Sequence, residues 1–438
     1  MVDDSFFKQR TKFYLHFDKK RTPNHILRYV TEPNNISGHA FYPFIAYTKT
    51  DTKIHKPNGL IKYKHKHRPI SYSSHIDGAI YAYYAHLLEQ PYENWLTNNG
   101  LQDNIIAFRK IKGLHNGKQV AKNNIYFSKD VFDTIRAKQD CVVLCYDITS
   151  FFDNLNHELL KQAWCDVINV DRLPNDHFKV YQSLTRYAYV DKTKLYQALG
   201  LSLNSRTLHK RLQSLCSTQD FHTKVKNKKL IKKNLKPKGI PQGSPISGIL
   251  SNIYMTSFDK QLTQQLGQAG HYFRYCDDML IITDKAHEQA ISAFLEKAIK
   301  QLKLTINDRK TQRVEFIHGQ VAINPAHINF NNPPKLQYLG INFDGQSVFL
   351  RDAGLSKYHR KMRLAVRMHR KRFENLQRKG LIQNDRMYRK ALNQRFSYIG
   401  KNNYLSYVFR VARVHDSDSV KRQVRGHWGR MSQYLGNI

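Results

Sequence analysis

Apolar residues recur along this chain with two different periods, and the switches between them predict its elements. Residues 141–146 form an unbroken apolar run, Cys-Val-Val-Leu-Cys-Tyr, closed by Asp147. A run that short reads as a strand buried on both faces. Residues 270–274 and 279–282 are two more strand-like runs, separated by little more than Tyr275, Cys276, Asp277 and Asp278, and so predict a tight β-hairpin with an acidic tip. Helical spacing appears elsewhere: Ile246, Ile249, Leu250, Ile253 and Tyr254 share one stripe, as do Ala290, Ile291, Phe294, Leu295, Ala298, Ile299 and Leu302. Ser74 can cap a helix running to Leu87 and Leu88, and residues 104–112 read as a strand ending in positive charge.

The chemistry lies at the strand ends. Two adjacent carboxylates repel, and a fold normally presents such a pair to a counter-charge, most often a divalent metal. Asp147, closing a neighbouring strand, supplies a third carboxylate. Two Mg²⁺ ions held roughly 3.5–4 Å apart by such a cage activate an attacking hydroxyl and stabilise a departing pyrophosphate. Mn²⁺ is a possible substitute.

The order of motifs narrows this further. Asp147 followed by Phe151 and Phe152, then Gly239-Ile240-Pro241-Gln242-Gly243-Ser244-Pro245, then Tyr275-Cys276-Asp277-Asp278, resembles motifs A, B and C of the reverse transcriptases. The likeness is to the bacterial group that includes retron, group II intron and phage-defence enzymes. It implies an α+β right-hand polymerase with fingers, a palm built on a ferredoxin-like antiparallel sheet, and an α-helical thumb. It also implies a metal-holding set of Asp147, Ile148, Asp277 and Asp278. Residues 304–311 resemble motif D, in which Lys310 would protonate the leaving pyrophosphate; the alternative is a surface lysine. Tyr338, Leu339 and Gly340 resemble motif E, the primer grip.

Within this resemblance Arg68 and Arg109 grip the triphosphate of the incoming nucleotide, or else make solvated or backbone contacts of no catalytic consequence. Gln242 touches the nascent base pair, or braces its own loop. Gly243 lets that loop approach a ligand closely, while Ser244 and Pro245 suit an N-cap and a first helical position. Phe152 would lie against the sugar C2′ and exclude a 2′-hydroxyl, which favours dNTPs and DNA synthesis. One of Phe151 and Phe152 must be core, since adjacent strand residues face opposite sides.

Composition sharpens the partner. A net charge of +37, from 71 Lys plus Arg against 34 Asp plus Glu, exceeds what solubility needs and is tolerable when a polyanion neutralises it. Residues 351–438 carry 22 basic against 5 acidic residues, which suits a thumb tracking a duplex backbone. A lysine run from Lys224 to Lys238, including Lys228, Lys229, Lys232 and Lys233, is either a solvated face or a phosphate contact next to the motif B loop. Five cysteines without zinc spacing, and no apolar stretch long enough for a signal or membrane span, predict reduced thiols in a cytoplasmic protein.

The expected organisation is an extension of unclear role over 1–60, fingers over 61–146, palm over 147–345 with a basic insertion at 172–238, and a thumb over 346–438. That length is expected to leave no room for a nuclease or maturase domain, and no Val-Thr-Gly triplet of the retron kind follows motif E. Residues 395–404 resemble a thumb sequence of the unknown-group, defence-associated enzymes, and the Tyr-Cys-Asp-Asp form is most similar to their type 2 members. The expected partners are a structured non-coding RNA template and nascent DNA, in antiviral defence. A retron-type or template-independent DNA polymerase is an alternative, and a non-catalytic RNA-binding scaffold is one of another class.

Overall fold

The computed structural model describes residues 4–8, 14–55, 60, 62–205, 207–322, 335–383 and 387–435. Its centre is an antiparallel five-stranded sheet, in the order Gln320–Val321, Gln312–Ile317, Cys141–Asp147, Asp278–Thr283, Gly270–Tyr275. The two central strands feed two separate cores, because successive side chains point to opposite faces. Val142, Leu144, Tyr146, Met279 and Ile281 face one core, which also takes the apolar stripes of helices Ser247–Tyr254, Thr256–Leu266 and Glu288–Gln301. Cys141, Val143, Leu280 and Ile282 face the other, built with helix Asn124–Lys138 and the C-terminal helices. A continuous apolar run is what a strand covered on both sides requires, and each fully buried aliphatic side chain contributes about 1.5–3 kcal/mol.

Above one end of this sheet stands a two-stranded ribbon. Phe44–His55 pairs with Lys62–Tyr72 from Ile45↔Tyr72 to His55↔Lys62. Ala188–Asp191 joins its base in parallel, and Lys232–Lys233 pairs beyond. Two expected boundaries therefore move. Residues 44–55 belong to the ribbon rather than to an N-terminal extension, and the 172–238 insertion completes the ribbon's sheet. A limit at 146/147 would also cut the central strand, Cys141–Asp147, which lies whole within the five-stranded sheet. Ser74 caps helix His75–Asn98 as its sequence suggests, accepting from Asp77 N.

The C-terminal layer holds helices Asp352–Arg378, Lys390–Phe396, Tyr404–Val414, Asp418–Val424 and His427–Leu435. The first buries Tyr358, Met362, Ala365 and Val366, at i, i+4, i+7 and i+8, and exposes Arg363, Arg367, Lys371 and Arg372. These four stay on the outer face, whereas Arg370 turns in to the carbonyls of Tyr434 and Leu435. All five cysteines are free, and among the described residues no helix is long and apolar enough to cross a membrane.

Candidate active site

The hairpin closes with two residues, since Tyr275 pairs with Asp278 and only Cys276 and Asp277 lie between. Cys276 takes φ 61°. A positive φ at the first central residue alone is the type II′ pattern, which usually needs glycine. The strain is held from beneath by Arg274, whose Nη1 donates to Cys276 O at 3.2 Å and to Asn252 Oδ1 at 3.1 Å. Its Nε and Nη2 grip Asp259 at 2.8 and 2.5 Å, and Tyr272 Oη donates to Asp259 Oδ1 at 2.8 Å. Arg274 and Asp259 are both fully buried. The sequence reading passed over this arginine. Its signal was the strand alternation, which puts Tyr272, Arg274 and Cys276 on one inward face.

The turn sets Asp277 and Asp278 beside Asp147, because Asp147 pairs directly with Asp278 across the two central strands. Burial, then the like charges of Asp277 and Asp147, push the Asp278 carboxyl up to about 6. Asp277 is raised by burial and by Asp147. The chain at 304–311 comes alongside: Asn307 N donates to Asp147 O at 2.8 Å, and Asn307 Nδ2 to Asp147 Oδ1 at 3.1 Å. Lys310, in a short 3-10 turn, places its Nζ 2.5 Å from Asp147 Oδ2 and also contacts Oδ1.

Lys66 is a site residue that the sequence reading did not single out. It lies on the ribbon face that also carries Lys64 and Arg68, and its ammonium feels Asp147, Asp277 and Lys310. Its pKa is lowered, first by desolvation and then by Lys310 and Arg68. The alternation of 64, 66 and 68 could have found it.

The donor set, three hard carboxylate oxygens in mutual repulsion, fits a divalent cation in chemistry. Its geometry is more open than the expected cage: among the described residues no three acidic, imidazole or thiol groups converge as a metal cluster, and the Lys310 ammonium sits on Asp147. Ile148 is 1% exposed, so only its backbone can join such a site.

The loop at 239–245 is clasped from two sides. Ile240 N donates to Phe152 O and Gly239 N to Leu155 O, while Ser71 N of the ribbon donates to Gln242 O at 2.9 Å. A Cβ on Gly243, at φ 117°, would stand 2.6 Å from Ser71 O. The close approach that this glycine permits is therefore to the ribbon's backbone, with no ligand required. Ser244 does not cap the following helix, which begins at Ser247 with Ile246 before it; Ser247 Oγ instead donates to Pro241 O at 2.7 Å.

Phe151 is 3% exposed and Phe152 half-buried, as one-in, one-out reasoning requires. The cause differs from the expected strand alternation: Ser150 adopts a left-handed conformation and starts the short helix Phe151–Asn154.

Three other expected site positions change character. Residues 104–111 form turns with a single bridge, Ile105↔Arg274, because Phe108 at φ 59° breaks the extended run, and a strand begins only at Lys112. Arg109 is spent there, gripping Glu93 at 2.8 and 2.6 Å and the carbonyls of Gln102 and Ile105, which leaves no free fork for a triphosphate. Tyr338 is buried in the core shared with the C-terminal helices, so only the tip at Leu339 and Gly340, both at positive φ, reaches outward. Arg68 pairs with Asp51 across the ribbon. Lys228, Lys229, Lys232 and Lys233 are exposed, and among the described residues none forms an ion pair.

Residues 54–343 match the family model described as reverse transcriptase (RNA-dependent DNA polymerase). No curated protein matches the chain. Among solved structures it is similar to apo telomerase from Candida tropicalis truncated from the C-terminal domain, at 12% identity and TM-score 0.42 over 69% of this chain and 54% of that one. A second apo telomerase structure from Candida tropicalis has 13% identity, TM-score 0.40, and coverage of 94% and 62%. Telomerase from Candida albicans, in complex with a fragment of telomeric RNA, has 11% identity, TM-score 0.38, and coverage of 93% and 58%. The chain matches little more than half the length of each.

Proposed function

The chain belongs to the reverse transcriptase (RNA-dependent DNA polymerase) family, and from that premise we propose that it copies a structured non-coding RNA into DNA, with dNTPs as substrates and two Mg²⁺ ions at Asp147, Asp277, Asp278 and the Ile148 backbone. The carrying observation is the Asp147↔Asp278 pairing, which sets three mutually repelling carboxylates at one sheet end with Lys66 and Lys310 beside them. Asp147, Asp277, Asp278 and the Ile148 carbonyl would hold the two ions, which would supply Lewis-acid activation of a primer 3′-hydroxyl and charge stabilisation.

The chain's own groups do the rest. Arg274 holds the strained turn, and the two like-charged carboxylates it aims stay acceptor-only when ionised. In this reading Lys310, which rests on Asp147, donates a proton to the departing pyrophosphate, and Lys66 and Arg68 receive the triphosphate. Phe152 stands half-exposed where a sugar would pass, and Gln242, its carbonyl held by the ribbon, keeps its side-chain amide for a base pair. Leu339 and Gly340 offer backbone to the primer end, and the exposed lysines and the basic C-terminal helices take phosphates.

A cytoplasmic role in defence against phage is part of this reading. Its support is the resemblance of residues 395–404 to a thumb sequence of the defence-associated enzymes.

Primer extension on an RNA template is the test. Replacing Asp277 and Asp278 together by Ala should lower incorporation by roughly a thousandfold or more while leaving folding and RNA binding nearly intact. Retained polymerisation overturns the enzyme reading. Sequencing the co-purifying RNA should return one abundant structured species; a heterogeneous pool overturns the dedicated template.

A further inference from the structure

A cavity of about 690 Å³ lies where the N-terminal segment, the start of helix His75–Asn98 and the 214–221 stretch meet. None of the residues assigned above lines it. Three aromatic rings wall one part: Phe17 meets Phe221 at 4.8 Å and Tyr42 at 6.1 Å, and Tyr42 meets Phe221 at 6.0 Å. Lys19 and Arg21 also line it and are exposed, while Phe17 is 7% exposed, so the positive charge rims an aromatic interior.

Asp18, which also lines the cavity, and Asp77 behind it are already used. Asp18 accepts from His75 N at 3.0 Å and Ile76 N at 2.9 Å. Asp77 pairs with His39 at 2.8 Å and accepts from Tyr42 N at 3.0 Å. Arg21, by contrast, touches only the His25 ring, at 2.5 Å, and pairs with no carboxylate among the described residues; Lys19 pairs with none either. The field of Arg21 nonetheless reaches inward, acting on the hydroxyls of Tyr29 and Tyr42. A volume between 300 and 1,000 Å³ is typical of a small-ligand site.

We propose that this cavity is a second nucleotide site, which binds a nucleoside phosphate with its base among Phe17, Tyr42 and Phe221 and its phosphate on Arg21 and Lys19. Each part of the lining selects. The aromatic rings stack on any base face, a wall that inorganic phosphate would not use. The unpaired guanidinium suits a phosphate fork, repels cations and is wasted on a neutral ligand. The nucleotide comes either from solution or from an unpaired position in a bound RNA, and both sources present the same base and phosphate.

Photolabelling with 8-azidoadenosine 5′-monophosphate in EDTA tests the proposal on the full chain. Label should appear in peptides from 14–42 or 214–221 and fall about tenfold in Arg21→Glu, an exposed position where circular dichroism should report an unchanged fold. The chain with Asp277→Ala and Asp278→Ala should label as the unaltered chain does, which separates this site from the catalytic one. In the unaltered protein the same nucleotide should slow alkylation of Cys216, a lining residue, and leave Cys145 unaffected. Displacement of the label by AMP identifies free nucleotide as the source; displacement only by a 5′-phosphorylated oligoribonucleotide identifies a strand. Label that neither displaces, label indifferent to Arg21→Glu, or an unprotected Cys216 overturns the site.

Discussion

Asp259 and Asp278 are served by the same hairpin, and their surroundings are opposites. Beneath the turn, Asp259 has no exposure, yet a bidentate guanidinium and a tyrosine hydroxyl satisfy it. At the tip, Asp278 is pushed up to about 6 by burial and by two neighbouring carboxylates. The cation closest to that group of acids, Lys310, rides on a short turn and is 46% exposed. Desolvation raises both carboxyls, although Asp278 keeps an exposed edge that Asp259 lacks, so desolvation alone does not separate structure from function. The answering charge does: a fixed one builds the platform, and a missing one calls for a mobile cation.

The largest expected effect breaks that contrast directly. Asp259→Asn leaves the Arg274 charge buried without its partner and should cost about 3–5 kcal/mol of stability. Asp277→Asn with Asp278→Asn removes repulsion instead, so in metal-free buffer the midpoint should hold or rise. Urea unfolding of the two variants side by side decides the matter. Equal losses would erase the distinction.

The same contrast explains what the sequence could disclose. The acidic hairpin was legible because strand period, turn length and acidic pair all agree at 270–283, and because Asp147 ends an apolar run. Arg274 was not legible, since a strand arginine looks solvated until Asp259 is seen across the gap. Tyr338 and Arg109 failed for the converse reason: a motif aromatic and a terminal arginine look available, but one fills a core and the other binds Glu93. The boundary at residue 60 failed because the pairing of 44–55 with 62–72 is a matter of register, which composition does not carry. Lys66 differed from its neighbours only in position.

Burial is answered in a third way between the catalytic sheet and the C-terminal helices, by neutrality. His415 contacts Ser128 Oγ at 3.1 Å, and burial, with Lys129 and Arg136 nearby, holds its imidazole down to about 4. Between that value and the ordinary one near 6.5 the unfolded chain binds more protons than the folded chain, so stability falls as pH drops through the window. One such group is worth about 3 kcal/mol at most. His415→Gln should flatten the acid limb of unfolding free energy against pH. A residual slope should remain, because His16, held down to about 3, acts in the same direction.

A smaller effect separates the two phenylalanines beside Asp147. Phe152→Val should raise ribonucleotide relative to deoxyribonucleotide incorporation about tenfold, since the space gained admits a 2′-hydroxyl. Phe151→Val should instead lower stability, because Phe151 lies in the core. Single-nucleotide insertion kinetics with paired dNTP and rNTP measure the ratio. The same change of ratio at Phe151 alone would reverse the assignment of faces.

The smallest expected effect concerns charge that nothing buries. Lys228, Lys229, Lys232 and Lys233 are exposed on the insertion, the last two forming the edge strand of the ribbon's sheet and the first two just before it. If they touch RNA phosphates, neutralising all four to Gln should reduce the slope of log affinity against log salt by roughly 3–3.6 units at most, each contact contributing about 0.7–0.9. Selectivity for the cognate RNA should survive better than affinity, because phosphate contacts position a nucleic acid whereas base and shape contacts specify it. Filter binding at several salt concentrations, with cognate and scrambled RNA, reads both quantities. An unchanged slope would make the run a solvated face, and would leave the basic C-terminal helices as the main phosphate surface.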